Sequence, residues 1–204
     1  MENTMPKELK YTSSIKDMPL MFAEMKRTAL LICEGKSSND IVQLSLDENI
    51  YQLDTDKRRR DVPLRMIKRL SNIDNPLLNV IANNQDRDAK LITFLALLKA
   101  DRLLYEFMVE VYADKHNSGR DEISDRDFVE FIEYKSQSSE AVAKWSENNL
   151  KSIRSKIKST LCDAGLAKRN GDKILIQIPV IDDELRSLLG EIDTIYKRAM
   201  LMEV

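Results

Sequence analysis

Apolar residues recur every third or fourth position over nearly the whole chain. This spacing restricts the fold more than any other feature, because it gives helices with one apolar face and leaves little material for sheets. In PLMFAEMKRTALLICE, residues 19–34, the residues Phe22, Met25, Ala29, Ile32 and Cys33 share a face, and Gly35 is placed to end the helix in a left-handed turn. SSNDIVQLSLDEN opens with a capping pattern, Ser37 and Asp40, and carries Ile41, Leu44 and Ser45 on one stripe. TDKRRRDVPLRMIKRL, 55–70, has Leu64, Ile67 and Leu70 as its apolar stripe. Pro63 has no amide hydrogen, so the helix either starts near Asp61 or kinks there. NPLLNVIANN reads as a short helix with Pro76 in its first turn. From Arg87 to His116 the pattern runs through Leu91, Phe94, Leu95 and Leu98, then Leu104, Phe107, Met108 and Val111. Its phase slips near Lys99–Arg102, which predicts two helices in succession.

Ser124 with Asp127 caps a further helix holding Phe128, Phe131 and Ile132. A polar break, KSQSS, precedes a helix or helix pair from Glu140 to Ala164. The clear β signal comes next: GLAKR, Asn170-Gly171, then DKILIQI with Ile174, Ile176 and Ile178 alternating, a hairpin pattern. Leu185, Leu188, Leu189, Ile192, Ile195, Tyr196 and Ala199 mark one long C-terminal amphipathic element. With 5 Gly and 5 Pro in 204 residues, little room is left for a turn-rich all-β fold. The expected fold is mainly α: a multi-helical N-terminal bundle over 1–116, then a winged-helix-like region with one short β-hairpin and a final packing helix over 117–204. The boundary falls in the turn-rich HNSGRDE segment, 116–122, unless the two halves form one continuous domain.

Several function classes fail on inventory. The longest apolar stretch, LITFLALL, is far too short for a bilayer, and MENTMPKELKYTSS carries neither a signal nor a transit pattern, so a cytoplasmic protein without membrane contact is expected. Cys33 and Cys162 are too few for a disulfide framework or zinc site and read as reduced, buried small hydrophobes. His116 is the single histidine, and dispersed glycines leave no phosphate loop, so no catalytic residue, metal or small-molecule cofactor is expected. Asp121, Glu122, Asp125 and Asp127 have the oxygen chemistry for Mg²⁺, but helix capping and solubility account for them more simply.

The formal net charge of −2 hides a strong asymmetry. Residues 140–170 carry seven Lys/Arg against three acids, 55–70 carry seven against two, and 101–133 hold ten acids against four bases, a solvated or repelling face. In the helix opening at Ser146, Leu150, Ile153, Ile157 and Leu161 form an inward stripe. A rotation of about 100° per residue groups Asn148, Lys151, Ser155 and Lys158 away from it, with Arg154 flanking. Lys and Arg there suit phosphates, and Asn148 and Asn149 suit base edges. Lys168, Arg169 and Lys173 put three cations on the hairpin, as a wing requires, while an ordinary solvated helix and hairpin would carry the same residues. Lys57, Arg58, Arg59, Arg60, Arg65, Lys68 and Arg69 form a second basic site. It serves phosphate binding or, equally, ion pairing with the acidic 101–133 region.

YTSSI, RTALLICEGKSSNDIVQLSLDENIYQLDTDKRRRDVPLRMIKRL, FLALLKADRLLYEFMVEVY and WSENNLKSIRSKIKSTLCDAGL, in that order, resemble the BrxA family of BREX bacteriophage-defence systems, from Tyr11 through the hairpin. The resemblance implies a small helical protein without known catalytic activity, encoded beside methyltransferase, ATPase and phosphatase-like components and able to bind double-stranded DNA. No family catalytic residues carry over, and Pro63 departs from the continuous helix of the arginine-rich segment. The expected function is thus a non-catalytic double-stranded-DNA-binding accessory component with other BREX components as partners. The alternatives are a protein–protein adaptor without nucleic-acid contact, or RNA binding.

Overall fold

The computed structural model of the chain describes residues 9–84, 86–189 and 194–202, so the first eight residues of the N-terminal segment and Ile192 lie outside the described residues. The described chain is mainly helical, with one small three-stranded antiparallel sheet, and divides into two compact units. One is a sequence insert, Met21–Ala100. The other joins Met1–Leu20 to Asp101–Val204, so the sequence boundary drawn at 116/117 falls inside it.

The insert holds α1 (Phe22–Cys33), α2 (Ser38–Asp47), α3 (Asp56–Leu70), α4 (Asn75–Asn83) and α5 (Asp86–Ala100). α1 buries Met25, Thr28, Ala29 and Leu31 and packs on α4 and α3, and Gly35 ends it at φ +83 as its position predicts. Cys33 is exposed, against expectation: it is the last residue of the helix, beyond the buried stretch Met25–Leu31, and its thiol donates to the Asn79 side-chain oxygen at 3.4 Å. The Ser37–Asp40 capping box forms and opens α2. α3 starts at Asp56 under a Thr55 cap, not near Asp61, and continues unbroken past Pro63 to Leu70. The missing amide would orphan the Arg59 carbonyl four residues back, and the buried Ser45 hydroxyl of α2 donates to that oxygen at 2.6 Å. The inward face of α3 is Val62, Pro63, Met66, Arg69 and Leu70, whereas Leu64 of the expected stripe is exposed. α5 is buried almost all round, from Leu91 to Leu98, as suits a central helix.

The second unit begins with a 3-10 turn, Ser14–Lys16, whose Ile15 is fully buried. The helical phase slip is real: Asp101 caps α6 (Arg102–Phe107) by accepting the Leu104 amide at 3.1 Å. α6 continues as a π-helical turn, Met108–Ala113, into α7 (Asp114–Asn117). β1 (Glu122–Ile123) follows, then α8 (Asp125–Ser138), α9 (Glu140–Ala143), α10 (Glu147–Asp163), β2 (Ala167–Asn170) and β3 (Lys173–Ile176). α8 opens on the expected Ser124–Asp127 box and runs on through the expected KSQSS break to Ser138, because Lys135 is a buried ion-pair partner rather than a solvated loop residue. Phe107 stacks on Phe128 at 4.5 Å and meets Phe131 edge-on at 5.4 Å, giving the unit its aromatic centre.

The sheet order is β1-β3-β2. Asn170 pairs with Lys173, so the hairpin loop is Gly171–Asp172, one residue later than an Asn-Gly turn, with Gly171 at φ +58. Ile174 and Ile176 face inward, but the strand ends there and Ile178 is exposed. Buried Tyr112, from the π turn, reaches the Leu166 and Gln177 carbonyls at 2.7 and 2.9 Å and so fixes the base of the hairpin to the helices; burial raises its pKa. The C-terminal element is not one long helix: α11 (Asp183–Leu188) and α12 (Thr194–Ala199) are separate.

Candidate nucleic-acid interface

α10 is capped by the Ser146 hydroxyl, which accepts the Asn149 amide at 3.3 Å, and it buries Ile153, Ile157 and Leu161 as the apolar stripe predicts. Asn148, Lys151 and Ser155 are exposed on the opposite face, and Asn149 is half-buried at the first turn. Lys158 is not on that face. It is 8% exposed, covers the Phe128 ring, and donates to the Asp125 carboxylate and to the Asp172 carbonyl in the hairpin loop. A single-helix rotation argument cannot foresee this, since it is the start of α8 and the hairpin loop that enclose Lys158. Arg154 turns the same way and pairs with Asp125 at 3.5 Å.

On the hairpin Lys168, Arg169 and Lys173 are exposed, and Lys173 pairs with Glu122 of β1 at 2.5 Å. Lys151 pairs with Glu147 one turn back at 2.7 Å. Those contacts hold the Glu147 carboxyl below the ordinary range and raise the Lys173 ammonium. Lys156, not singled out by spacing, is half-exposed on α10 and has no ion pair among the described residues. Glu147–Lys151 is readable as an i,i+4 pair, whereas Glu122 and Asp125 become partners only through folding.

The α3 cluster divides differently. Lys57, Arg58, Arg60 and Lys68 are exposed and Arg65 is half-exposed, and among the described residues none of these five has an ion pair. Arg59 bonds to Asp56 at 3.3 Å and to the Leu53 carbonyl at 3.2 Å. Arg69 is 1% exposed and has a partner within the chain, so it belongs to the interior.

The acidic 101–133 segment is only partly a solvated face. Glu106 is buried and takes hydrogen bonds from Tyr11 at 2.7 Å, Arg102 at 2.8 Å and Lys135 at 2.7 Å, while Lys135 also meets Glu110 at 2.6 Å. Burial works to raise the Glu106 carboxyl, but these three donors outweigh it and hold the group below its ordinary value. Burial and the same contact push Tyr11 up to about 12. Asp121 bonds His116 at 2.6 Å and Asp127 pairs with Lys115 at 2.7 Å, so with Glu122 and Asp125 all four Mg²⁺ candidates have protein partners. Among the described residues no group of three or more His, Cys, Asp or Glu is gathered to hold a metal, and no helix is long and apolar enough to cross a membrane. Cys162 is half-buried rather than buried, its thiol raised by desolvation. Between α8 and α10 lies a groove of about 290 Å³ lined mainly by Phe128, Val129, Ile132, Leu150 and Ile153.

Three likenesses bear on this arrangement. A crystal structure of an uncharacterized protein from Magnetospirillum magneticum superposes with a TM-score of 0.80 at 19% identity, covering 94% of this chain and 98% of that one, a likeness of fold. The BREX protein BrxA of Escherichia coli O9:H4 (strain HS) is 20% identical over 147 residues, 72% of this chain and 69% of the relative. The BREX protein BrxA of Bacillus cereus (strain H3081.97) is 32% identical over 178 residues, 87% of this chain and 89% of the relative. The BrxA family profile matches residues 9–193, and with that relative it makes this chain a member of the BrxA family.

Proposed function

We propose that this protein is a non-catalytic, double-stranded-DNA-binding accessory component of a BREX phage-defence system, with other BREX components as partners. The observation that carries the reading is the order of elements in the second unit. A helix (α6 to α7), β1, α8, the single turn α9, α10, β2 and β3, with β3 central in the sheet, supports a winged-helix reading. In that reading α10 is the helix for the major groove, with Asn148, Lys151 and Ser155 outward, and Lys168 and Arg169 on β2 are the exposed cations of the wing. The exposed cations of α3 supply a second site for phosphates.

Fluorescence anisotropy with labelled duplex DNA, titrated from 50 to 200 mM salt, tests this. Binding should weaken steeply with salt, and unlabelled duplex RNA should compete poorly. Absence of binding at the low-salt end would sink the reading, and equal competition by RNA would move it to RNA. Lys158 is unsuitable for charge reversal, since a glutamate there would face Asp125 and the Asp172 carbonyl. Lys168→Glu with Arg169→Glu is the cleaner variant.

The apolar groove between α8 and α10 favours a second reading, a protein–protein adaptor. A nuclease-resistant pull-down of BREX components, lost on Val129→Asp, is the result that would support it.

A further inference from the structure

The two cationic surfaces differ in how their charges are met within the protein. Of the α10 and hairpin cations first considered for phosphate, four face a carboxylate: Lys151 with Glu147, Arg154 and Lys158 with Asp125, and Lys173 with Glu122. Lys168 and Arg169 have no ion pair among the described residues. On α3 the proportion is reversed, with Lys57, Arg58, Arg60, Arg65 and Lys68 all lacking one.

Three separate elements deliver the carboxylates. Glu147 comes from α10 itself, Asp125 from the first turn of α8, and Glu122 from β1, which is placed beside Lys173 by its pairing with β3. Lys173 and Glu122 are each about half exposed, at 49% and 43% of their side chains, and Lys151 and Glu147 still more so. A phosphate arriving at either lysine therefore meets a fixed negative charge within a few ångströms, a repulsion that the Debye length of about 8 Å at physiological salt does not remove.

We propose that Glu122, Asp125 and Glu147 are built-in competitors for phosphate: they cover Lys173, Arg154 and Lys151, and nucleic acid reaches those three cations only by displacing them. The inference rests on the reading of this unit as a DNA-binding winged helix and adds its regulation. An unstructured polyanion gains little at Lys151, Arg154 and Lys173, because each phosphate contact there costs an existing ion pair. A duplex that fits α10 and the wing together offsets several such exchanges at once. α3 has no such toll and takes phosphates irrespective of fit.

The test is the double variant Glu122→Gln/Glu147→Gln, which removes two exposed countercharges while leaving the part-buried Asp125–Lys158 contact intact. Its control is Asp183→Asn/Glu184→Gln, in the first turn of α11, with the same change in net charge. Duplex affinity is measured for the full chain by anisotropy across salt. The test variant should bind about threefold to tenfold tighter per carboxylate removed, the order expected on uncovering one exposed cation, with a salt slope steeper by up to roughly two. The control should stay near wild type. If the test variant binds no better than the control while Lys168→Glu/Arg169→Glu weakens binding, the competitors do not exist and DNA binding stands. If wild type and every variant fail to bind duplex DNA at 50 mM salt, the DNA reading itself has failed.

Discussion

Ser45 and Pro63 show how one side chain can license another. Pro63 removes the donor that the Arg59 carbonyl would otherwise accept, and the Ser45 hydroxyl replaces it at 2.6 Å. Ser45→Ala should lower stability by about 1–3 kcal/mol, the usual consequence of leaving a part-buried acceptor unsatisfied. Adding Pro63→Ala, which restores the amide, should recover part of that loss, so urea unfolding of the two single variants and the double one should be non-additive. Glu106 carries a second residue-scale expectation. Its carboxyl lies below the ordinary range when folded and near about 4.3 when unfolded. The folded state therefore binds fewer protons between those values. Its contribution is complete above the ordinary value and is lost as pH falls through the depressed one. The urea midpoint should drop on acidification below about pH 4, and Glu106→Gln should flatten that dependence. At neutral pH the same variant should be destabilised by up to about 3–5 kcal/mol, because Arg102 and Lys135 lose a shared counter-ion.

At the scale of elements, α3 and the hairpin should differ in what charge reversal does. Lys57→Glu with Arg58→Glu and Arg60→Glu alters solvent-facing residues that have no ion pair among the described residues, so circular dichroism should be unchanged while the salt slope of DNA binding falls by roughly three. An unchanged slope would remove α3 from the interface. Helical periodicity made most elements readable: the caps at Ser37, Ser124 and Ser146, the break at Asp101 and the inward stripe of α10 are all local in sequence. What escaped was non-local. β1 is two residues long and exists because the edge of β3 recruits it, so no alternation marks it. Lys135 and Lys158 look like surface lysines until Glu106 and Asp125 arrive from other elements. Arg69 is polar by type yet lies on the inward face of α3, where its neighbours are Met66 and Leu70 along the helix. For the candidate site, residue types and the outward positions Asn148, Lys151 and Ser155 were legible, but the burial of Lys158 and the pairing of Arg154 and Lys173 were not.

At the scale of the whole molecule, the second unit is assembled from two distant stretches of chain. Ile15 is buried in it, Arg102 donates to the Leu9 carbonyl at 3.4 Å, and Tyr11 bonds Glu106. Ile15→Ala should therefore cost about 2–5 kcal/mol, and hydrogen exchange should show the loss in α10, on which the 3-10 turn packs, rather than in α1 to α5. The membership of residues 9–20 was hidden from sequence reading because YTSSI and its flanks carry too few apolar positions to reveal a partner a hundred residues away. The arrangement also sets a timetable during translation. At roughly 5–20 residues per second, α1 to α5 leave the ribosome and can close their own core several seconds before α10 and the hairpin exist. Through that interval Tyr11 and Ile15 wait without partners, so a nascent chain arrested after Ala100 would carry a folded body with a loose leading segment, and synthesis of the last hundred residues is what draws that segment in.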